Sequence, residues 1–89
     1  MVQKEVVIIN KLGLHARAAA KFVTEAGRYS SSVQLAREDQ KVNGKSIMGV
    51  MMLAASQGTT IRITVSGEEE DEALRSLVDL IDDKFGEPE

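Results

Sequence analysis

The sequence holds one histidine, His15, set in the run Gly13-Leu14-His15-Ala16-Arg17. An imidazole with a reference pKa of about 6.5 is largely neutral near pH 7, and therefore nucleophilic. Apolar residues recur at positions 16, 19, 20, 23 and 26, a spacing that predicts a helix starting beside this histidine and stopping at Gly27. No Ser, Thr, Asp or Asn stands where that helix would be capped. Its first N–H groups are then free to receive an anion, and the positive end of its dipole disfavours the imidazolium. Arg17 adds a planar donor fork suited to phosphate oxygens, and Gly13 permits a close backbone approach. Phosphoryl transfer needs mainly alignment and charge compensation, and these parts could supply both. Read alone, the histidine has a simpler use as a surface residue at a helix start, with no chemistry.

Two further features stand apart from this run. Ser46 precedes a second helical stretch in which Ile47, Val50, Met51 and Ala54 follow helical spacing. A serine there serves as an N-cap, worth about 1 kcal/mol, and can also be a phosphorylation switch that adds negative charge at a partner surface. The two uses are compatible. A helix this short cannot bury Ile47, Met48, Val50, Met51, Met52 and Leu53 together, so Met48 and Met51 are expected to face solvent.

The elements that must position these residues follow from periodicity. Residues 2–9 are rich in β-branched side chains and read as a strand. Val33 and Leu35 alternate with polar neighbours, and the polar stretch before Val42 suggests a weakly written hairpin. Ile61, Ile63 and Val65 alternate with Arg62 and Thr64, the clearest strand of the chain. The acidic run Glu68–Glu72 suits a helix's first turn. Ala73, Leu74, Leu77, Val78, Ile81 and Phe85 form that helix's expected buried face, closed by Gly86 and Pro88. The order β-α-β-β-α-β-α predicts an α+β fold, a four-stranded antiparallel sheet with three helices on one face. No linker, repeat or low-complexity segment divides residues 1–89, so one domain is expected.

Composition excludes several classes. Eighty-nine residues leave little room for a deep substrate pocket. The absence of cysteine rules out disulfides, a thiol nucleophile and thiolate metal sites. With one imidazole no paired-histidine centre can form, and neither a metal nor a cofactor is expected. No apolar run reaches the roughly 18–20 residues of a membrane span, and the N-terminus lacks a secretory pattern, so a cytoplasmic protein is expected. The net charge of −3 divides unevenly. Residues 1–67 carry nine basic and four acidic side chains, residues 68–89 two basic and ten acidic ones. A cationic body fits anionic partners or a phosphate. Nucleic acid is disfavoured, because no Lys/Arg run exists and one Tyr with two Phe offers little stacking surface.

Gly13-Leu14-His15-Ala16-Arg17 and Lys45-Ser46-Ile47-Met48-Gly49-Val50-Met51 together resemble the two signature segments of the HPr family. These are the histidine-containing phosphocarriers of the bacterial phosphoenolpyruvate-dependent phosphotransferase system. The resemblance extends over nearly the whole chain and implies an open-faced β-sandwich. It implies that His15 takes a phosphoryl group on Nδ1 from Enzyme I and gives it to IIA domains, with Arg17 and helix-start amides steadying the phosphate. It further implies a regulatory phosphorylation site at Ser46 for a bifunctional HPr kinase/phosphorylase. Ile47, Met48 and Met51 would form the docking patch, and a monomer is expected of a carrier that meets several partners.

Two departures stand out. Ala18 replaces the family's usual proline and predicts a slightly looser helix start. Leu12 occupies a place where many relatives carry a small polar residue. The lead-in Asn10-Lys11-Leu12-Gly13 is similar to proteobacterial members, the nitrogen-related branch included. Two other readings compete with the carrier: a regulatory binding module governed by Ser46, and a generic metabolite-binding α/β domain that leaves the helix-start residues to chance.

Overall fold

A computed structural model describes residues 1–89. Its elements are β1 (Val2–Val7), α1 (Ala16–Ala26), β2 (Ser32–Arg37), β3 (Gln40–Asn43), α2 (Ile47–Met52), β4 (Thr60–Ser66) and α3 (Glu70–Asp82), followed by a 3-10 turn at Lys84–Gly86. The strands form one antiparallel sheet in the order β1-β4-β2-β3, and the helices cover one of its faces. The architecture is the expected open-faced sandwich.

Register explains which face is covered. Val65 pairs with Val2 and Val33, and Ile63 pairs with Leu35, so alternate side chains of the central strands make one apolar surface. The opposite surface carries Gln3, Thr64, Gln34 and Asn43 in one cross-strand row and stays open to solvent. A two-residue period with one wet face is what the alternation in β4 announced. Against the inner surface lie Phe22 of α1, Val50 of α2, and Leu77 and Ile81 of α3, all fully buried. Each such side chain contributes about 1.5–3 kcal/mol through apolar burial. Phe22→Ala is therefore expected to cost about 3–5 kcal/mol, read as a lower urea midpoint at unchanged m-value.

Three features differ from the sequence expectation, two of them boundaries and one the buried face of a helix. The first strand ends at Val7 rather than residue 9, although Ile8 remains buried and hydrogen-bonds to Thr59 and Gly58 across the gap. The buried stripe of α1 is Ala18, Ala19, Phe22 and Ala26, with Ala16 exposed, whereas the apolar spacing predicts Ala16, Ala20 and Val23 on it along with Ala19 and Ala26. Four alanines in the first half of α1 make that stretch nearly featureless, and Phe22, the largest side chain, decides the rotation. That rotation puts His15 at the rim of the inner stripe, one turn before Ala19 and two turns before Phe22.

The third difference lies at the C-terminus. α3 stops at Asp82, and Phe85 is not on its face. Lys84 and Phe85 both take φ of 56°, a left-handed turn that swings Phe85 back into the core, where it is 1% exposed. The chain after it runs back toward the start of α1 instead of merely closing a helix.

Candidate functional site

The turn before α1 is held rigidly. Gly13 has φ of 67°, and a Cβ there would lie 2.6 Å from the Ala55 carbonyl oxygen. Both the left-handed backbone and the close approach require glycine. Gly13→Ala is expected to destabilise the fold by about 2–4 kcal/mol, measurable by urea unfolding. Leu14, 5% exposed, donates its N–H to the same Ala55 oxygen at 2.9 Å and ties the turn to the loop after α2.

His15 is the residue flanking α1, extended at φ −73° and ψ 176°, and its side chain makes no capping bond. Its carbonyl accepts the Ala19 N–H at 2.8 Å. The N–H groups of Ala16, Arg17 and Ala18 find no acceptor within the chain. Alanine in place of the proline common in the family thus adds a free donor to this helix start, and Ala18 itself is fully buried and helical. The His15 side chain is 28% exposed. Arg17 is exposed on the first turn, and its guanidinium has no hydrogen bond or ion pair in the chain. A shallow pocket of about 340 Å³ joins His15 and Arg17 with Lys11, Leu12 and Glu87.

Two members of this site carried no signal in the sequence reading, Asn10 and Glu87. Asn10 is fully buried, and its Nδ2 donates to the Gly13 oxygen at 2.8 Å and to Glu87 Oε1 at 3.0 Å. The other oxygen of Glu87 meets His15 Nε2. Partial burial opposes ionisation of Glu87, but hydrogen bonds from His15 and Asn10, helped by the charges of His15 and Lys21, outweigh it. The carboxyl is held below its ordinary range, so Glu87 is anionic at neutral pH.

The second predicted segment stands on the neighbouring helix. Ser46 flanks α2, and its Oγ accepts the Gly49 N–H at 3.1 Å, the capping role expected of it. Ile47, Met48 and Met51 are 44%, 71% and 40% exposed, as the crowding of so short a helix required. Met52 and Leu12 add to the exposed apolar surface. α1 and α2 pack against each other, so the two segments share one side of the molecule.

A four-stranded antiparallel sheet with one helical layer, and a histidine at an uncapped helix start, defines an open-faced β-sandwich of the kind that phosphocarriers use. The whole pattern matches PTS-HPr, described as the PTS HPr component phosphorylation site, over residues 2–83. The chain belongs to the HPr family of phosphocarriers of the phosphotransferase system. It is similar to phosphocarrier protein HPr of Pseudomonas aeruginosa, 59% identical over 96% of both chains. It is also similar to phosphocarrier protein HPr of Neisseria meningitidis serogroup B, 53% identical over 100% of both. The crystal structure of HPr-C-His from Thermoanaerobacter tengcongensis superposes with a TM-score of 0.96, at 47% identity and full coverage of both chains. No helix is long and apolar enough to cross a membrane.

Proposed function

We propose that residues 1–89 are one phosphocarrier domain acting in the cytoplasm, in which His15 accepts a phosphoryl group on Nδ1 from Enzyme I and delivers it to IIA domains. The observation that carries this reading is the start of α1, where the N–H groups of Ala16, Arg17 and Ala18 are unpaired beside His15. The unpaired Arg17 guanidinium stands on the same turn. Backbone amides aligned with the helix dipole receive phosphate oxygens without reorganising, and Arg17 compensates the remaining charge. Partner enzymes supply the rest of the reacting groups, so no deep pocket is needed.

Docking falls to Ile47, Met48 and Met51, whose exposure supports the role, since methionine adapts its shape to unlike partners. A monomer serves such successive encounters. Incubation with phosphoenolpyruvate and Enzyme I should place one acid-labile phosphoryl group on each chain. Acid-stable label, or none, would defeat the reading.

Ser46 is proposed as a regulatory site for an ATP-dependent bifunctional HPr kinase/phosphorylase. A phosphate there adds about −1.5 to −2 charges at the start of α2, beside the docking surface. Ser46→Asp is accordingly expected to slow phosphorylation by Enzyme I about ten-fold at low salt, with a smaller effect at physiological ionic strength. Unchanged second-order rate constants under both conditions would remove Ser46 from the scheme.

A further inference from the structure

The family match ends at residue 83, yet the chain beyond it returns to the histidine. That return is built rather than loose. Phe85 is 1% exposed, and its carbonyl accepts from Lys21 Nζ at 2.6 Å. Farther on, the Glu89 carbonyl accepts the Lys11 N–H at 2.7 Å. Between these two anchors Glu87 is set against His15 and Asn10, its side chain 13% exposed.

We propose that Glu87 is a positioning residue that fixes the tautomer of His15, holding the proton on Nε2 and leaving the lone pair on Nδ1. This rests on the phosphocarrier reading above. A carboxylate can only accept, so the nitrogen it meets must carry hydrogen. Asn10 Nδ2 donates to Glu87 Oε1 as well as to the Gly13 carbonyl, so Oε1 is an acceptor and the second oxygen of the carboxylate is left to face the ring. No group in the chain competes for Nδ1.

The consequence for transfer balances. Nδ1 donates its lone pair to phosphorus as the donor's bond to phosphorus breaks. The ring becomes cationic with its proton still on Nε2, and the Glu87 carboxylate offsets that charge. On delivery the N–P bond breaks, its electron pair returns to Nδ1, and the ring is neutral again. No proton needs to move at either step. The neighbouring charges of Lys11, Arg17, Lys21 and Glu89 are left in place throughout.

The amide variant separates this role from mere packing. In Glu87→Gln, Oε1 stays with Asn10 and the new NH2 group faces His15 Nε2. Nε2 must then accept, and the proton moves to Nδ1, where it blocks the nucleophile. An amide in place of the triad carboxylate of a serine protease imposes the wrong tautomer by the same logic. Glu87→Ala, by contrast, releases the ring and leaves Nδ1 partly free. The expected order of phosphorylation rates is therefore wild type, then Glu87→Ala, then Glu87→Gln, the last slower by about ten-fold or more. A packing role gives the opposite order, because glutamine fills the space and alanine does not.

The decisive experiment combines two readouts on all three full-length chains, each first shown to be folded by its thermal transition. Ring 15N chemical shifts at pH about 8, above the usual imidazole range, report the tautomer of the unphosphorylated protein without any partner enzyme. Initial rates with Enzyme I and phosphoenolpyruvate report transfer. An Nε2–H ring in the wild type, an Nδ1–H ring in Glu87→Gln and the stated rate order support the proposal. An Nδ1–H ring in the wild type, or a Glu87→Gln chain that keeps Nε2–H and phosphorylates faster than Glu87→Ala, overturns it. Failure of the wild type to take label at His15 would defeat the phosphocarrier reading instead, and the ring shifts would still decide the tautomer.

Discussion

His15→Ala is expected to leave the fold standing and to lower phosphoryl uptake from Enzyme I by roughly 10³-fold or more, as removal of a sole nucleophile does. The His15 side chain contributes no helix cap, and the bond from the Ala19 N–H to its carbonyl is untouched by the change. What is lost is the contact with Glu87, a partly exposed pair worth about 1 kcal/mol or less. No second imidazole exists in the chain to take over. Phosphorylation assays with equal amounts of folded wild type and variant separate a chemical loss from an unfolding one. Residual uptake near the wild-type rate would mean that the acceptor lies elsewhere.

Arg17→Ala is expected to slow transfer by about 10²-fold, with stability within about 0.5 kcal/mol of wild type. The guanidinium is exposed and bonded to nothing in the chain, so it stabilises no part of the resting fold. On the proposed reaction its value appears only when a dianionic group arrives at the helix start. There a planar fork can engage two phosphate oxygens at once, which a lysine ammonium cannot do. Arg17→Lys should therefore recover only part of the rate. Single-turnover measurements that vary Enzyme I concentration will show whether the loss falls in docking or in the chemical step; it is expected mainly in the latter. Rates equal to wild type for Arg17→Ala would leave charge compensation to the amides alone.

The site was legible in the sequence to the extent that its parts are local. His15, Arg17 and the missing cap occupy five consecutive residues with Gly13 and Leu14, so helical periodicity alone brings them together. Ser46 and the crowded apolar positions after it are local in the same way. The central strand was equally plain, because Ile61, Ile63 and Val65 alternate without interruption. Glu87 was not legible. It lies 72 residues from His15, and its placement depends on Lys84 and Phe85 adopting left-handed backbone conformations that neither residue type favours. Burial of Phe85 overrides that local preference, and no pattern of residue types encodes the outcome. Asn10 was hidden for a related reason: an asparagine before a glycine turn reads as a turn former, while here it is fully buried and links the turn to the C-terminal segment. The rotation of α1 is not written in its sequence, because alanines mark no face and the 16, 19, 20, 23 and 26 spacing omits Phe22, which is fully buried.

The acidic end of the chain takes on a second meaning in this light. Glu70 holds the N-terminal ammonium at 3.0 Å and receives the Gly67 N–H at 3.2 Å, so part of the negative charge serves the start of α3. Glu87, from the same anionic segment, faces the cationic site around Lys11, Arg17 and Lys21. The division of charge along the sequence is thus closed up in space.

The central claim, that a lone imidazole nitrogen at an uncapped helix start carries the phosphoryl group, meets its most direct test in the wild-type chain itself. Phosphorylated with Enzyme I and phosphoenolpyruvate, it should show one phosphorus–nitrogen coupling in ring-selective 15N and 31P spectra, at Nδ1 of His15. A phosphoryl group on Nε2, or on any other residue, would contradict the account.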